Sequence, residues 1–293
     1  MLPLDVADLT AEWFAEILGR DVESVDLLDH HSGTTGRAHV ALRGGPGVPP
    51  TLFVKLAPFD EKQRAFVNMV GMGVTEARFY RDLASEVPMR VPKVYFSDED
   101  GDRYVMVLED LAAIGCRFPH PTDDDIQFRA RDIVEQLAEL HGQYWESPRF
   151  DAGGDLEWLA DKGTGGAGGG SKFVQMAVDT LGDRLDDDFH RLADLYLARH
   201  EDIATLWNTG EKTLVHGDPH MGNLFVDVQN GNRTGFLDWA VIGRSPGLRD
   251  VAYVLCNSIP HDVRVADERE LLEHYGTRVG AHGVDLDPIQ AWD

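Results

Sequence analysis

Two carboxylates and one amide stand at fixed spacings beside two short apolar runs in the C-terminal third of the chain. Asp218 closely follows the apolar run at 214–215, and Asn223 comes five positions later. Asp238 comes 15 positions after Asn223, at the end of a second apolar run. Short runs of this kind predict β-strands. The spacing therefore predicts a polar site at the start of a strand hairpin.

An Asp, an Asn five positions on, and an Asp at the end of a second strand form the catalytic order of eukaryotic-type kinase sites. This order predicts phosphoryl transfer from a nucleotide to a hydroxyl group. We expect Asp218 to orient the acceptor hydroxyl or accept its proton. Asn223 and Asp238 would supply hard oxygen ligands to Mg²⁺, which keeps much of its water and takes few protein oxygens. A lone Asp after a strand more often forms a turn, but here the spacing, the apolar flanks and the second Asp agree.

Two segments around these residues resemble a known superfamily. HGDPHMGN resembles the HGDxHxxN motif of the aminoglycoside phosphotransferase and choline kinase-like superfamily, and FLDWAVIGRSPGLRDVAYVL resembles its downstream segment. The resemblance implies that Asp218 is the catalytic base and that Asn223 and Asp238 are metal ligands. It also implies that Asp250 braces the catalytic loop, although a carboxylate there would also suit the positive end of a helix dipole. We expect His216 to fix the loop by hydrogen bonding rather than to transfer protons.

The N-terminal third carries the lysine and glutamate that a kinase-like small lobe needs. Lys55 lies in the β-favouring run Thr51–Leu56, and Glu76 opens a helical pattern that continues to Leu83. Taken alone, they would be a solvated strand lysine and a surface helix charge. With the downstream motif, we expect Lys55 to bind the α- and β-phosphates and Glu76 to hold Lys55. The ExxFYxxL string that starts at Glu76 resembles the ecdysteroid-kinase-like and acyl-CoA-dehydrogenase-associated branches of the superfamily.

A polar turn between two β-favouring runs is a candidate cover for the phosphates. It contains Ser32, Gly33 and Thr34, and it offers backbone amides, hydroxyls and the guanidinium of Arg37. We expect the first three of these residues to contact the nucleotide. The turn lacks the GxGxxG pattern, so a tight hairpin without a ligand is the alternative.

A second predicted strand pair, 93–97 and 103–108, runs into the segment where kinases hinge between their lobes. Backbone groups in that segment grip the adenine edge, so we expect Glu109 and Leu111 to border the nucleotide. This expectation rests on position, and the side chain of Glu109 need not contact the base.

The predicted fold class is α+β, in a protein-kinase-like arrangement of two lobes. Residues 1–110 would form a nucleotide-binding lobe with an antiparallel sheet and a helix. Residues 111–293 would form a mainly α-helical lobe for catalysis and acceptor binding. In it, helical spacing predicts helices from about 122 to 144 and from 187 to 208, and His141 is expected to be a satisfied core histidine.

Two segments of the second lobe fall outside these helices. The glycine-rich stretch 163–171 is predicted to be a flexible connection, with a mobile edge of the acceptor pocket as the alternative. Residues 287–293 look like the opening turn of a further helix. Superfamily members commonly continue into such helices, so a C-terminal truncation is one interpretation.

Composition indicates a soluble, cytoplasmic enzyme. Of the 293 residues, 43% are hydrophobic and 27% are charged, and two cysteines cannot form a disulfide framework. The sequence has no apolar run long enough for a membrane span. The formal net charge of −24 argues against nucleic acid or an anionic membrane as a partner. It would suit a cationic acceptor, although acidic surfaces also serve solubility alone.

The predicted activity is that of a small-molecule kinase that uses ATP and Mg²⁺. The γ-phosphoryl group would pass directly, in line, to an alcohol group, with Asp218 as base. One alternative is a nucleotide-binding regulatory protein with an inactive kinase site, and a more distant one is a metal-dependent hydrolase built on His216, Asp218, His220 and Asp238. The open acceptor classes are aminoglycosides, choline-like amino alcohols, sugars, macrolides, steroids and hydroxyacyl thioesters.

Overall fold

The computed structural model describes residues 2–159 and 167–287. Its N-terminal part contains a five-stranded sheet of order β1-β2-β3-β5-β4, in which all neighbouring strands are antiparallel. The strands are β1 (Val22–Ser32), β2 (Gly36–Gly44), β3 (Thr51–Leu56), β4 (Val94–Asp100) and β5 (Arg103–Glu109). The helices are α1 (Ala11–Leu18), α2 (Glu61–Val70) and α3 (Met72–Arg78).

The C-terminal part is mainly helical and also contains two small sheets, β6 with β9 and β7 with β8. Its helices are α4 (Ile126–Tyr144), α5 (Ala167–Leu181), α6 (Asp187–Trp207), α7 (Leu248–Ser258) and α8 (His261–Gly280). Its strands are β6 (Thr213–Val215), β7 (Leu224–Asp227), β8 (Arg233–Phe236) and β9 (Gly243–Ser245). Helix α4 packs against α8, and α5 packs against α6. This arrangement confirms the predicted α+β, two-lobed fold class.

The two faces of the five-stranded sheet have different surroundings because side chains alternate along each strand. On one face, Val40 of β2 and Val54 of β3 share a hydrophobic cluster with Phe14 of α1. On the other face, Arg37 and Lys55 stand opposite each other in the β2–β3 pairing and line a cleft. The apolar face holds the sheet in place, and the polar face forms one wall of the candidate site.

A second hydrophobic cluster joins the two parts of the chain. Phe79, directly after α3, is fully buried in it with Ile133 and Leu137 of α4. The ring of Phe79 stacks on Trp239 at a centroid distance of 4.1 Å. Because this core includes residues from both parts, the division of the chain after residue 110 stays a prediction.

The element predictions agree with the structure except at the start of the first long helix and in the glycine-rich stretch. The helix predicted from about 122 begins only at Ile126, with Asp125 at its N-cap. The helix predicted from 187 corresponds to α6, which Asp186 caps by accepting from the backbone N–H of Phe189 at 2.7 Å. The flexible connection predicted for 163–171 is wrong for its second half, because α5 begins at Ala167 and Gly170 packs closely against Tyr196 of α6. The first half of that stretch and the helix start predicted near the C-terminus lie outside the described residues, apart from Asp287.

Across residues 2–159 and 167–287, no helix combines the length and the apolar character needed to span a bilayer.

Candidate active site

Lys55 and Glu76 form a buried ion pair in the cleft. Lys55 Nζ lies 2.7 and 2.5 Å from the two carboxylate oxygens of Glu76. The Glu76 side chain has no exposed surface, and only 6% of the Lys55 side chain is exposed. Burial raises the pKa of Glu76, and the charge of Lys55 opposes that rise. Lys55 Nζ also lies 3.3 Å from Asp238 Oδ1, so the lysine connects the sheet with the C-terminal part.

The local sequence brings both partners to this point. Lys55 faces the cleft because the preceding residue, Val54, points into the core on the opposite face of the sheet. Glu76 lies one helical turn after Gly73 in α3. The ring of Tyr104 on β5 occupies the space that a Cβ at Gly73 would need. A glycine at this position therefore lets α3 approach the sheet closely enough for the ion pair.

The carboxylate of Asp218 is held in the loop that follows β6. Asn223 Nδ2 donates to the main-chain oxygen of Asp218 at 2.9 Å and to its Oδ2 at 3.2 Å. A hydrogen bond from Tyr253 of α7 to the same carboxylate raises the pKa of Tyr253 to about 12. His220 Nε2 lies 3.7 Å from Asp218 Oδ2. With 35% of its side chain exposed, Asp218 is positioned by its neighbours and still open to a substrate.

His216 is a structural member of this loop. It is fully buried, and its Nε2 donates to the main-chain oxygen of Leu237 at 3.1 Å. Its Nδ1 accepts from the N–H of Asp218 at 3.2 Å. A ring that donates at one nitrogen and accepts at the other is neutral. Burial is the main cause that lowers the pKa of His216, which agrees with this state.

Asp250 anchors the loop to the helices beneath it. Its Oδ2 accepts from the N–H of His216 at 2.7 Å, and its Oδ1 accepts from the N–H of Gly217 at 3.0 Å. Behind it, His141 Nε2 lies 3.4 Å from Asp250 Oδ2, and His141 Nδ1 lies 2.9 Å from the hydroxyl of Tyr275. The predicted bracing contact and the predicted core histidine thus belong to one network, which joins α4, α7 and α8.

Asn223 and Asp238 lie at neighbouring ends of the β7–β8 hairpin. The N–H of Leu237 donates to the main-chain oxygen of Asn223 at 3.0 Å, which places the two segments side by side. Asp238 has a positive φ of 64°. Because the Asn223 amide nitrogen is engaged by Asp218, its oxygen is the atom left to act as a ligand. An amide oxygen and a carboxylate on one cleft wall fit the hard-oxygen preference of Mg²⁺.

A comparison with protein-family models matches residues 32–290 to the phosphotransferase enzyme family, APH. This match covers most of the chain. The chain belongs to the phosphotransferase enzyme family. It is therefore a small-molecule kinase, the enzyme class predicted from its motifs. A comparison with curated proteins found no match.

Solved structures with the same fold are similar over almost the whole chain. An aminoglycoside-3′-phosphotransferase of type VIII is 21% identical, with a TM-score of 0.53, over 92% of this chain and 91% of that one. LicA, a choline kinase from Streptococcus pneumoniae, matches in its AMP complex at 15% identity and a TM-score of 0.53, over 96% of this chain and 87% of that one. The GDP and kanamycin complex of APH(2″)-IIIa matches at 15% identity and a TM-score of 0.52, over 96% and 85%.

The cleft of this phosphotransferase has a volume of about 420 Å³ and contains some of the residues predicted to bind the nucleotide. Lys55, Glu76, Glu109 and Leu111 line it, as do Asn223 and Asp238. The carboxylate of Glu109 is turned towards other groups, since it accepts from the N–H of Lys93 at 2.6 Å and pairs with Arg90 at 2.5 Å. Asp218 adjoins the cleft through its bonds to Asn223.

The predicted phosphate-covering turn stands apart from the described residues that line the cleft. Ser32, Gly33 and Thr34 are absent from that lining. The Ser32 hydroxyl instead accepts from the N–H of Phe59 at 3.1 Å, and Thr34 is exposed. The structure thus does not bring this turn together with Lys55 and Asp238, and its contact with the nucleotide stays a prediction.

Sequence reasoning missed His39 of β2, and it named Arg37 only as part of the phosphate-covering turn, whereas both side chains line the cleft. His39 Nε2 contacts Asp110 Oδ2 at the hinge, and Arg37 Nη2 lies 4.0 Å from Asp238 Oδ2. Burial acts to raise the pKa of Asp110, but hydrogen bonds from His39, the Ala113 N–H and a further side chain outweigh it and leave that pKa lowered. The alternation of buried and exposed positions along β2 is the signal that would have placed both residues on the face that carries Lys55.

Proposed function

We propose that this phosphotransferase moves the γ-phosphoryl group of ATP to a hydroxyl group of a small molecule, by direct in-line transfer at the described cleft. Its strongest support is the convergence of the Lys55–Glu76 ion pair and Asp238 on one cleft beside the loop of Asp218. The AMP and GDP bound by the similar structures support a nucleotide as the phosphoryl donor.

The sheet side of the cleft would hold the nucleotide. Lys55 would neutralise the α- and β-phosphates, and Glu76 would hold the ammonium group at the correct position. Asn223 and Asp238 would hold Mg²⁺ through one amide and one carboxylate oxygen. When bound, Mg²⁺ neutralises charge on the phosphate oxygens. Glu109 and Leu111 would border the adenine at the hinge.

Asp218 would serve as the base. Its carboxylate receives hydrogen bonds from Asn223, at Oδ2, and from Tyr253, which orient it while its exposed part would face the acceptor. The acceptor hydroxyl would donate its proton to Asp218 as its oxygen attacks the γ-phosphorus. The bond between that phosphorus and the β,γ-bridging oxygen would break, and ADP would leave. Asp250 and His216 would keep the loop rigid during the step, because their bonds to backbone groups restrain it from both sides.

The acceptor would be a small hydroxylated molecule. Kanamycin is bound by one similar structure, and LicA is a choline kinase, so aminoglycosides and amino alcohols are the first classes to test. The formal net charge of −24 also favours a cationic acceptor. A metal-dependent hydrolase is disfavoured because both ring nitrogens of His216, one of its required ligands, are bonded within the protein.

The decisive experiment measures transfer of labelled γ-phosphate from Mg·ATP, and in parallel from Mg·GTP, across an acceptor panel. The panel includes aminoglycosides, amino alcohols, sugars, macrolides, steroids and hydroxyacyl thioesters. We expect product with at least one acceptor, and we expect Asp218→Asn to lower its rate by about 100-fold or more. The control is Asp188→Asn, because Asp188 is a 78% exposed carboxylate on α6, and it should retain the wild-type rate.

Three results would contradict the proposal. Nucleotide binding without product from any acceptor would favour a regulatory protein. Substrate turnover without nucleotide, blocked by chelators of transition metals, would favour a hydrolase. Equal rates for Asp218→Asn and the wild type would remove Asp218 from the role of base.

A further inference from the structure

We propose that Arg37 of β2, rather than the turn that precedes it, is the residue that binds the terminal phosphates of the nucleotide from the sheet side. This inference rests on the proposed function, because it requires a nucleoside triphosphate in the cleft. It adds a phosphate ligand that the lysine and glutamate motif does not include.

The position of Arg37 is set by strand register. Arg37 pairs with Lys55 across β2 and β3, so both side chains project from the same face of the sheet. They approach the two oxygens of one carboxylate: Lys55 Nζ lies 3.3 Å from Asp238 Oδ1, and Arg37 Nη2 lies 4.0 Å from Asp238 Oδ2. An anion bound beside Asp238 would therefore meet both cations.

Arg37 differs from Lys55 in how much of its charge is already paired. Lys55 is 6% exposed and holds a buried carboxylate at 2.5 Å. The Arg37 side chain is 47% exposed, and its contact with Asp238 is long. Among the described residues that line the cleft, Lys55 is the one lysine and Arg37 is the one arginine. Arg37 thus has the greater capacity to exchange its present partner for phosphate oxygens, which a guanidinium can bind in bidentate fashion.

The preceding turn has its own contacts and also orients the guanidinium. The N–H of Gly33 donates to Thr35 O at 3.0 Å, and Arg37 Nε donates to Thr35 Oγ1 at 3.2 Å. A Cβ at Gly36 would approach the ring of Phe59 within 2.5 Å, so the base of the turn packs tightly against that ring. The turn therefore acts as a support that directs Arg37 towards Asp238.

The acidic lining of the cleft makes a cation at position 37 important for phosphate binding. The carboxylates of Asp29, Glu76, Asp110 and Asp238 all lie in its lining, and a nucleoside triphosphate carries several negative charges of its own. Removing a cation from this environment would penalise each added phosphate. Loss of Arg37 should therefore weaken binding of the triphosphate most, whereas adenosine and the monophosphate should be nearly unaffected.

The test is the affinity of the full chain for Mg·ATP, ADP, AMP and adenosine, and for the matching guanosine series, by isothermal titration calorimetry. We expect Arg37→Gln to weaken triphosphate binding about 10- to 100-fold, the range of a charge-assisted hydrogen bond. Nucleoside and monophosphate affinities should stay within about twofold, and Arg37→Lys should restore part of the loss. The control is Arg43→Gln, because Arg43 lies on the same strand, is 76% exposed and pairs with Asp26 at 3.6 Å. It should bind all ligands as the wild type does.

The possible outcomes separate the inference from the proposed function. Unchanged triphosphate affinity in Arg37→Gln, with a wild type that binds and transfers phosphate, would overturn the inference alone. Equal losses for adenosine and ATP would assign Arg37 a structural role and also overturn it. If Thr34→Ala weakened triphosphate binding more than Arg37→Gln does, and left adenosine binding unchanged, the turn rather than Arg37 would be the phosphate-binding element. That result would also overturn the inference. A wild type that binds no nucleotide would overturn both the inference and the proposed function.

Discussion

At the scale of single residues, the candidate site consists of polar side chains that are bonded on more than one side. The Asp250 carboxylate accepts from two consecutive backbone N–H groups, and the His216 ring bonds through both nitrogens. Buried polar groups of this kind would destabilise the fold if they had no hydrogen-bond partners. Their partners here are backbone groups of the loop itself, so satisfying these groups also fixes the position of Asp218.

The buried, neutral ring of His216 should make stability depend on pH. Because its pKa is lowered in the folded state, the unfolded chain binds a proton there near pH 6.5 while the folded chain does not. The contribution of His216 to stability is thus present above pH 6.5 and is lost as the pH falls below it. The free energy of unfolding of the wild type should therefore fall between pH 7.5 and pH 5.5. We expect His216→Asn to lose up to about 1.4 kcal/mol less than the wild type over this range, measured by urea unfolding.

The control for this prediction is His31→Gln, because His31 is exposed on β1. It should lose as much free energy of unfolding as the wild type over the same pH range. Parallel pH dependences for His216→Asn and the wild type would show that the buried ring does not stay neutral in the folded state.

At the scale of secondary structure elements, the site depends on close packing of α3 against the sheet and on strand alternation. Gly73 allows α3 to lie against Tyr104 of β5, and Glu76 reaches Lys55 from the next turn of that helix. Alternation along β2 then places Arg37 and His39 on the same wall of the cleft. Helix α3 and strand β2 therefore determine which of these side chains face the cleft.

Gly73→Ala tests the packing of α3. The added methyl group would overlap the Tyr104 ring, so the helix must shift and the buried ion pair must lengthen. We expect a loss of about 1–3 kcal/mol in the free energy of unfolding, measured in urea, together with weaker nucleotide binding. Gly280→Ala is the matched control, because a Cβ at Gly280 meets nothing within 4 Å. It should be unchanged or more stable by up to about 1 kcal/mol. Equal free energies of unfolding for the two variants would show that the packing of α3 against Tyr104 accommodates a methyl group at position 73.

At the scale of the whole molecule, the two parts share a hydrophobic core, and Arg90 is one of the polar residues that join them. Arg90 pairs with Glu109 at the hinge at 2.5 Å and with Asp227 of β7 at 3.0 Å. Its guanidinium lies 5.3 Å from the ring centroid of Phe225, and its main-chain oxygen accepts from the N–H of Phe236 at 2.8 Å. Arg90 therefore ties the hinge to the hairpin whose ends carry Asn223 and Asp238.

Arg90→Gln should weaken the junction between the two parts. The change leaves the carboxylates of Glu109 and Asp227 largely buried and without their cation. We expect the free energy of unfolding to fall by about 1–3 kcal/mol, measured in urea. Arg191→Gln removes an exposed pair with Asp188 on α6 and should cost about 1 kcal/mol or less. A loss in Arg90→Gln no larger than in this control would exclude Arg90 as a structural link.

The sequence by itself determined the fold class, the enzyme family and the surroundings of the loop that carries Asp218. These features depend on short-range patterns, because apolar runs, turn residues and motif spacing are read within a few tens of residues. The order of Asp218, Asn223 and Asp238 required only a loop and a hairpin, and Lys55 and Glu76 required a strand and a nearby helix. The chemical roles of these five residues stay predictions.

Only the tertiary structure decided which other side chains share the site. His39 contacts Asp110 across 71 positions, His141 approaches Asp250 across 109, and Arg90 reaches Asp227 across 137. No local pattern specifies such pairs, because they depend on how α4, α7 and the sheet pack together. The turn at Ser32 was predicted to cover the phosphates from its residue types alone. The side chain of Arg37 faces Asp238 because of the strand register with Lys55 and the packing of Gly36 against Phe59, which no local pattern specifies.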